Sequence, residues 1–229
     1  MISKAMIFAA GLGQRMLPLT LHTPKPLLPV GGQPLLFWHL HHLAAAGIQE
    51  VVINISHLGE QIRAAVKDGS RWGLEVHFSS ETQPLETGGG LLQALPLLGE
   101  EAFLLINGDT WYPALPQFTP LEPNQLACLA LVHNPPQHPQ GDFYLDPASG
   151  RIENQFFTAA LSVTFSGISL MHPAILQPQH LQAALGQSYY PGEAFALAPL
   201  LRYLIKQQQI KGQLYTNHWV DVGTPERLN

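Results

Sequence analysis

Arg15 and Lys25 stand ten residues apart, just past the apolar run Ala5 to Ala10, in a chain that has only 11 Lys and Arg in 229 residues. Between the run and the first cation lies Gly11-Leu12-Gly13-Gln14. Glycines placed where a buried strand ends let backbone N–H groups come close to a phosphate. Lys25 is flanked by Pro24 and Pro26, which hold the backbone extended and remove amide donors, so its ammonium sits on a stiff mount suited to charge stabilisation. The plainer reading is a tight strand-to-helix turn with both cations solvated. The three-glycine dinucleotide fingerprint is not met, because Met16 holds its third glycine position, and a P-loop Gly-Lys-Ser/Thr occurs nowhere.

Carboxylates come next. Phe103 to Ile106 is a short apolar strand that runs into Asn107-Gly108-Asp109, which puts the Asp109 carboxylate at the strand's carboxyl edge, where open α/β sheets bind ligands. Asn-Gly is equally a hairpin signal. Asp221 sits in a second short apolar run, His218 to Val222, just before Gly223. His39, His41 and His42 invite a zinc reading, yet no nearby Cys or carboxylate completes a four-ligand set, so they read as packed or solvated residues. No Gly-x-Ser-x-Gly elbow exists, and the single cysteine, Cys128, lies in the apolar run Ala127 to Val132 and reads as core.

These residues need a scaffold, and the elements alternate. Strands are expected at Ala5 to Ala10, Glu50 to Ile55, Leu74 to Phe78 and Phe103 to Ile106, with helices at Pro34 to Ala46, Leu58 to Val66 and Gly89 to Leu98. From Ala127 the strands Ala127 to Val132, Gly141 to Leu145, Leu161 to Leu170 and His218 to Val222 follow one another without a long helix after each; further helices are expected at His180 to Leu185 and Ala196 to Gln208. The expected fold class is α/β: a Rossmann-like open, mixed but mostly parallel sheet with helices on both faces, extended by antiparallel strands. A single domain over residues 1–229 is expected.

Composition narrows the class. With 16 Asp and Glu the formal net charge is −5, and charged residues make up 12%, which argues against a nucleic-acid partner, since phosphate-backbone binders carry a basic excess. With 20 Gly and 20 Pro the chain stays below the level of low-complexity disorder. One cysteine excludes an internal disulfide. No stretch approaches a membrane span, and the first ten residues read as a strand rather than a secretory leader, because the apolar stretch is brief and runs into a turn with Arg15. A cytoplasmic protein with no membrane partner is expected.

The run Ala9-Ala10-Gly11-x-Gly13-x-Arg15-Met16-x-Pro18-Leu19-Thr20, then Pro24-Lys25-Pro26-Leu27 and Pro29-Val30-x-Gly32-x-Pro34, resembles the opening signature of the sugar-1-phosphate nucleotidyltransferases, with Phe8 in place of a usual leucine. Later landmarks recur in order: Gln83 to Gly90, Asn107-Gly108-Asp109, Gly141-Asp142-Phe143, Phe165 to Ile168 and Trp219 to Thr224. Leu-Glu-Thr-Gly-Gly-Gly together with Gly-Asp-Phe is most similar to the bacterial N-acetylmuramate-1-phosphate uridylyltransferases of peptidoglycan recycling. The resemblance implies transfer of a nucleotidyl group from a nucleoside triphosphate, UTP above all, to a sugar 1-phosphate with release of pyrophosphate. Mannose-1-phosphate guanylyltransferase and glucose-1-phosphate thymidylyl- or uridylyltransferase are its alternatives, and a non-catalytic regulatory subunit is a remoter one.

The resemblance divides the chain into a nucleotide-binding part over about 1–110 and a sugar-binding part over about 111–229, and the roles it implies are these. Arg15 meets the leaving β,γ-phosphates and Lys25 the α-phosphate; the backbone of Gly11 and Gly13 wraps the triphosphate; Gln83 and Gly88 read the base, with Glu81 or Glu86 as alternatives. Asn107, Gly141, Asp142, Glu153 and Ser166 hold the sugar, and Asp109 and Asp221 hold Mg²⁺. Where many relatives have a Glu-Lys pair at the sugar phosphate, this chain has Glu153-Asn154, which makes Arg151 or Arg202 the candidate cation. It lacks the β-helix domain of longer relatives and ends at Asn229, where a closing helix is usual, so a shortened or a compact form is expected. A monomer or weak dimer is the expected state.

Overall fold

Alternate residues of the first strand are sorted to opposite faces: Ala5 and Ile7 belong to one buried cluster and Met6 to the other. The same alternation recurs in Val51 and Ile53 against Val52, and in Leu104 and Ile106 against Phe103 and Leu105. Strands apolar on both faces are what a sheet covered on both sides requires. The computed structural model describes residues 2–228; Met1 and Asn229, the two ends of the expected domain, lie outside the described residues.

In chain order the elements are β1 (Lys4–Phe8), β2 (Pro29–Val30), β3 (Gln33–Pro34), α1 (Leu35–Ala45), β4 (Glu50–Ile55), α2 (Gly59–Val66), β5 (Glu75–Ser80), α3 (Glu86–Leu98) and β6 (Phe103–Asn107). Then come β7 (Thr110–Trp111), β8 (Ala127–His133), β9 (Phe143–Leu145), β10 (Ile152–Glu153), β11 (Leu161–Met171), α4 (Pro178–Leu185), α5 (Leu197–Lys206), β12 (Ile210–Leu214) and β13 (Val220–Asp221). β5, β4, β1 and β6 are parallel neighbours. β11 runs antiparallel to β6 on one edge and to β8 on the other, and β12 adds to β8 in parallel. The mixed, mostly parallel sheet expected from the alternation is present. Apolar faces of α1 and α2 cover one side through Leu36, Leu40 and Ile62; α3 and α5 cover the other through Leu91, Leu98, Leu200 and Leu204.

β11 forks the sheet. Its first residues, Leu161 to Val163, pair with β9, and its last, Ile168 to Met171, pair with β6. The register shifts between Phe165 and Ser169, around Gly167 at φ +80°. Beside β6 the chain order reverses from β1-β4-β5, so the crevice where an open α/β sheet takes its ligand lies between the carboxyl ends of β1 and β6.

Three expectations need adjustment. Asn107-Gly108 is no hairpin: the next strand, β7, pairs with β13 and not with β6. Cys128 is half-buried, its Sγ 4.0 Å from Gln213 Oε1, and burial pushes its thiol up to about 11. β12, with its polar Lys211 and Gln213, joins the sheet without having been expected as a strand. Among the described residues no helix is long and apolar enough to cross a membrane.

Candidate active site

The crevice is set by a close approach of two backbones. Gly108 donates its N–H to the Phe8 carbonyl at 3.0 Å, and a Cβ there would collide with that oxygen. The turn after β6 is thereby drawn against the end of β1, which aims Asp109 across the mouth of the first loop. Lys25 Nζ meets Asp109 Oδ2 at 2.8 Å with only 12% of the lysine side chain exposed. Lys25 opens a 3₁₀ turn, Lys25–Leu27, instead of the extended segment expected between two prolines, and from that turn its charge reaches the carboxylate 84 positions on.

Asp221 arrives by a different route. β13 pairs with β7 so that Asp221 lies opposite Thr110, and the Val222 N–H donates to the Asp109 carbonyl at 2.8 Å. Asp109 and Asp221, expected to work together, are thereby held one step apart at the end of this two-stranded ladder, and both border the same concavity. Asp221 Oδ2 accepts from Arg227 Nη1 at 2.6 Å. Each carboxylate therefore has one oxygen committed to a cation, and the other, Oδ1, has no hydrogen-bond partner among the described residues. A hard dication takes oxygen ligands and is commonly held by one or two carboxylates plus substrate phosphates, so this donor set fits one. Among the described residues no group of three or more His, Cys, Asp or Glu side chains forms a self-sufficient metal cage.

Three concavities meet at Asp109. The first, of about 270 Å³, runs between Ala9, Asn54, Glu81, Glu86 and Asn107. A second, of about 400 Å³, is lined by Gly11, Gly13, Arg15 and Lys25. The third, of about 240 Å³, opens toward His138, Phe165, Ser166 and Trp219 and has Asp221 in its wall. Asp109 lines all three, Lys25 and Gly11 two, and Asn107 two. Such a branched cleft suits a ligand with a polyphosphate tail on one arm, a base on another and a second substrate on the third.

In the loop arm the N–H groups of Ala10, Gly11, Leu12 and Gly13 find no hydrogen-bond partner among the described residues. Unpaired amides facing a cleft form an anion-binding concavity. Gly13 is at φ +63°, its carbonyl accepts from Thr20 Oγ1 at 2.8 Å, and Thr20 Cγ2 occupies the space of any Cβ. Arg15 stands exposed on the same arm.

In the first concavity the residues expected at the base are placed differently from one another. Gln83 is exposed and outside the lining, on the turn between β5 and α3. Gly88 is also outside it: its N–H donates to the Phe195 carbonyl at 2.8 Å, and its bare Cα is the seat for the Phe195 ring. Glu81, by contrast, is buried in the wall, its Oε1 accepting from Asn54 Nδ2 at 2.6 Å and its Oε2 from the Leu85 N–H at 3.0 Å. Burial raises its carboxyl above the ordinary range, against those two hydrogen bonds, which favour the ionised form. Asn54 Oδ1 in turn accepts the Ala9 N–H, tying this wall to the end of β1. Glu86 adds a second carboxylate from a backbone at φ +58°.

Of the residues expected to hold the sugar, Asn107 and Ser166 line the third concavity, while Gly141, Asp142 and Glu153 do not. Glu153 pairs with Arg151 at 2.9 Å. Asp142 is turned inward, its Oδ2 accepting the Phe165 N–H at 2.9 Å. Of the histidines of α1, His39 is packed in the core, with Nδ1 3.0 Å from the Tyr112 hydroxyl, and burial drops it to about 4; His41 is exposed and His42 half-buried.

Residues 4–139 match the protein family described as nucleotidyl transferase. The chain is 44% identical over 98% of its length to an N-acetylmuramate alpha-1-phosphate uridylyltransferase of Neisseria meningitidis serogroup B, covering 95% of that protein. It is 30% identical over 97% of its length to the enzyme of the same name from Caulobacter vibrioides, covering 92% of it. Its backbone superposes on an inositol-1-phosphate CTP transferase from T. maritima with a TM-score of 0.74 at 18% identity, over 100% of this chain and 92% of the other, a likeness of fold.

Proposed function

Because the chain belongs to the nucleotidyl transferase family, we propose that it transfers the uridylyl group of UTP to N-acetylmuramate 1-phosphate, releasing pyrophosphate and forming a UDP-sugar. The observation that carries this reading is the convergence of three concavities on Asp109 and its partner Lys25. A sugar-phosphate oxygen attacks the α-phosphorus of the triphosphate, and the bond from that phosphorus to the bridging oxygen breaks as pyrophosphate leaves. The nucleophile is already anionic near neutral pH, so no general base is needed. Catalysis rests on in-line placement and on neutralising charge.

The chain's own groups supply both. Unpaired amides from Ala10 to Gly13 and the Arg15 guanidinium hold the β,γ-phosphates and stabilise the departing pyrophosphate. Lys25 faces the α-phosphate, exchanging its contact with Asp109 for one with substrate. Glu81 and Glu86 present acceptors to the base, which suit the N3–H donor of uracil. Asn107 stands between base and sugar arms, and Ser166 lines the latter. Asp109 and Asp221 would hold Mg²⁺ through their uncommitted oxygens; when bound, the ion supplies charge neutralisation for the phosphates. A reaction that consumes a nucleoside triphosphate belongs in the cytoplasm.

The test is pyrophosphate release measured for each of UTP, dTTP, GTP and CTP against each of N-acetylmuramate 1-phosphate, glucose 1-phosphate and mannose 1-phosphate. UTP with N-acetylmuramate 1-phosphate is expected to give the highest kcat/KM. A higher value for any other pair overturns the substrate assignment, and no release from any pair overturns the reaction.

A further inference from the structure

The third concavity has an unbalanced wall. Asp109 and Asp221 are the acid side chains lining it, and among the described residues His138 is the one basic side chain that does. The arginines the sequence offers for this end are engaged elsewhere. Arg151 is paired with Glu153, and Arg202 donates from Nη1 to the Asp142 carbonyl at 3.1 Å while its guanidinium lies 4.9 Å from the Phe143 ring centre. Asn154 donates to the Arg202 carbonyl at 2.8 Å.

His138 is displayed by a braced loop. Its Nε2 lies 3.1 Å from Asp142 Oδ1; Asp142 Oδ2 accepts the Phe165 N–H, and the Asp142 backbone N–H donates to the Val163 carbonyl. Asn134 Nδ2 straps the loop by donating to the Pro139 carbonyl at 3.1 Å and to Ser162 Oγ at 2.9 Å, and Asn134 Oδ1 accepts from Thr164 Oγ1 at 2.9 Å. An imidazole held on one nitrogen by a fixed carboxylate keeps a set orientation and leaves the other nitrogen for a ligand. A ring positioned before binding loses little freedom on binding.

We infer that His138, braced by Asp142, selects acceptors whose sugar ring carries an acid substituent beyond its phosphate, by pairing with that second carboxylate. The inference rests on the reaction proposed above and adds to it a residue that distinguishes acid from neutral acceptors. Protonated imidazole gives a carboxylate a charge-assisted hydrogen bond, and a neutral sugar offers no anion to meet it. Asp142 is then a positioning residue, acting through the ring.

Two acceptors that differ only in the acid group decide the matter: N-acetylmuramate 1-phosphate, with its lactyl carboxylate, and N-acetylglucosamine 1-phosphate, without it. kcat/KM for each is measured with UTP in the unmodified enzyme and in the His138→Gln and His138→Ala variants. The ratio of acid to neutral acceptor is expected to fall about ten- to a hundredfold in both variants, the loss of one hydrogen bond between charged groups. Retention of the ratio within about twofold in both variants, with the unmodified enzyme preferring the acid sugar, overturns the role of His138 and leaves the reaction standing. An unmodified enzyme that turns over both sugars without preference removes the acid-sugar acceptor itself, and the role of His138 with it.

Discussion

Lys25 and Asp109 neutralise one another at 2.8 Å in the free protein, and that contact has two uses. It keeps a largely buried ammonium from standing unpaired, which would be costly, and it parks a positive charge where a polyphosphate must pass. His39 illustrates the opposite strategy, a titratable ring kept neutral. Burial drops it from the ordinary 6.5 to about 4, so above pH 6.5 both folded and unfolded forms carry a neutral ring. As pH falls below that value the unfolded chain takes up the proton and the folded one does not, so stability declines until the pH reaches the folded value. Between about pH 7 and pH 5 this ring should cost the folded state roughly 2 kcal/mol. Urea unfolding of the wild type and of His39→Gln at both pH values should show the variant losing less on acidification. Equal losses would mean that His39 titrates normally in the folded state.

Elements explain why some of this was readable in advance and some was not. The parallel half could be read because apolar runs such as Val51 to Ile55 and Phe103 to Ile106 end in turns and alternate with amphipathic helices. β12 escaped notice because it is an added strand with Lys211 and Gln213 in alternate positions, recruited by a long-range pairing with β8. β7 is two residues long, too short for any pattern, and the strand expected over His218 to Val222 contracts to the two residues of β13, so neither signals that they pair and set Asp221 opposite Thr110, next to Asp109. For the same reason that pairing was available only through family resemblance. The resemblance puts Gln83 at the base with Glu81 as an alternative; Gln83 is exposed and outside the first concavity while Glu81 is buried in its wall, a difference in burial that sequence spacing does not report. The β1–β6 junction gives a sharp test of the element scale. Gly108→Ala must push a methyl group into the Phe8 carbonyl, which is backbone and has little room to yield. It should cost at least about 2 kcal/mol and lower Tm by roughly 4–8 °C, with activity falling as Asp109 is displaced. A Tm within about a degree of wild type in a thermal melt would contradict the close approach.

At the scale of the whole molecule, a single sheet spans both halves of the chain, and its switch point joins them. The half up to β6 supplies the glycine loop and most of the first concavity's wall, the later half supplies β11, Asp221 and the His138 loop, and Asp109 stands where they meet. A charge-neutralising cluster at that junction predicts that loss of one cation damages turnover far more than folding. The decisive measurement is kcat of Lys25→Ala with UTP and N-acetylmuramate 1-phosphate, alongside its melting curve. Turnover is expected to fall on the order of 10²- to 10³-fold with Tm little changed; turnover close to wild type would show that the cleft does its chemistry without this lysine.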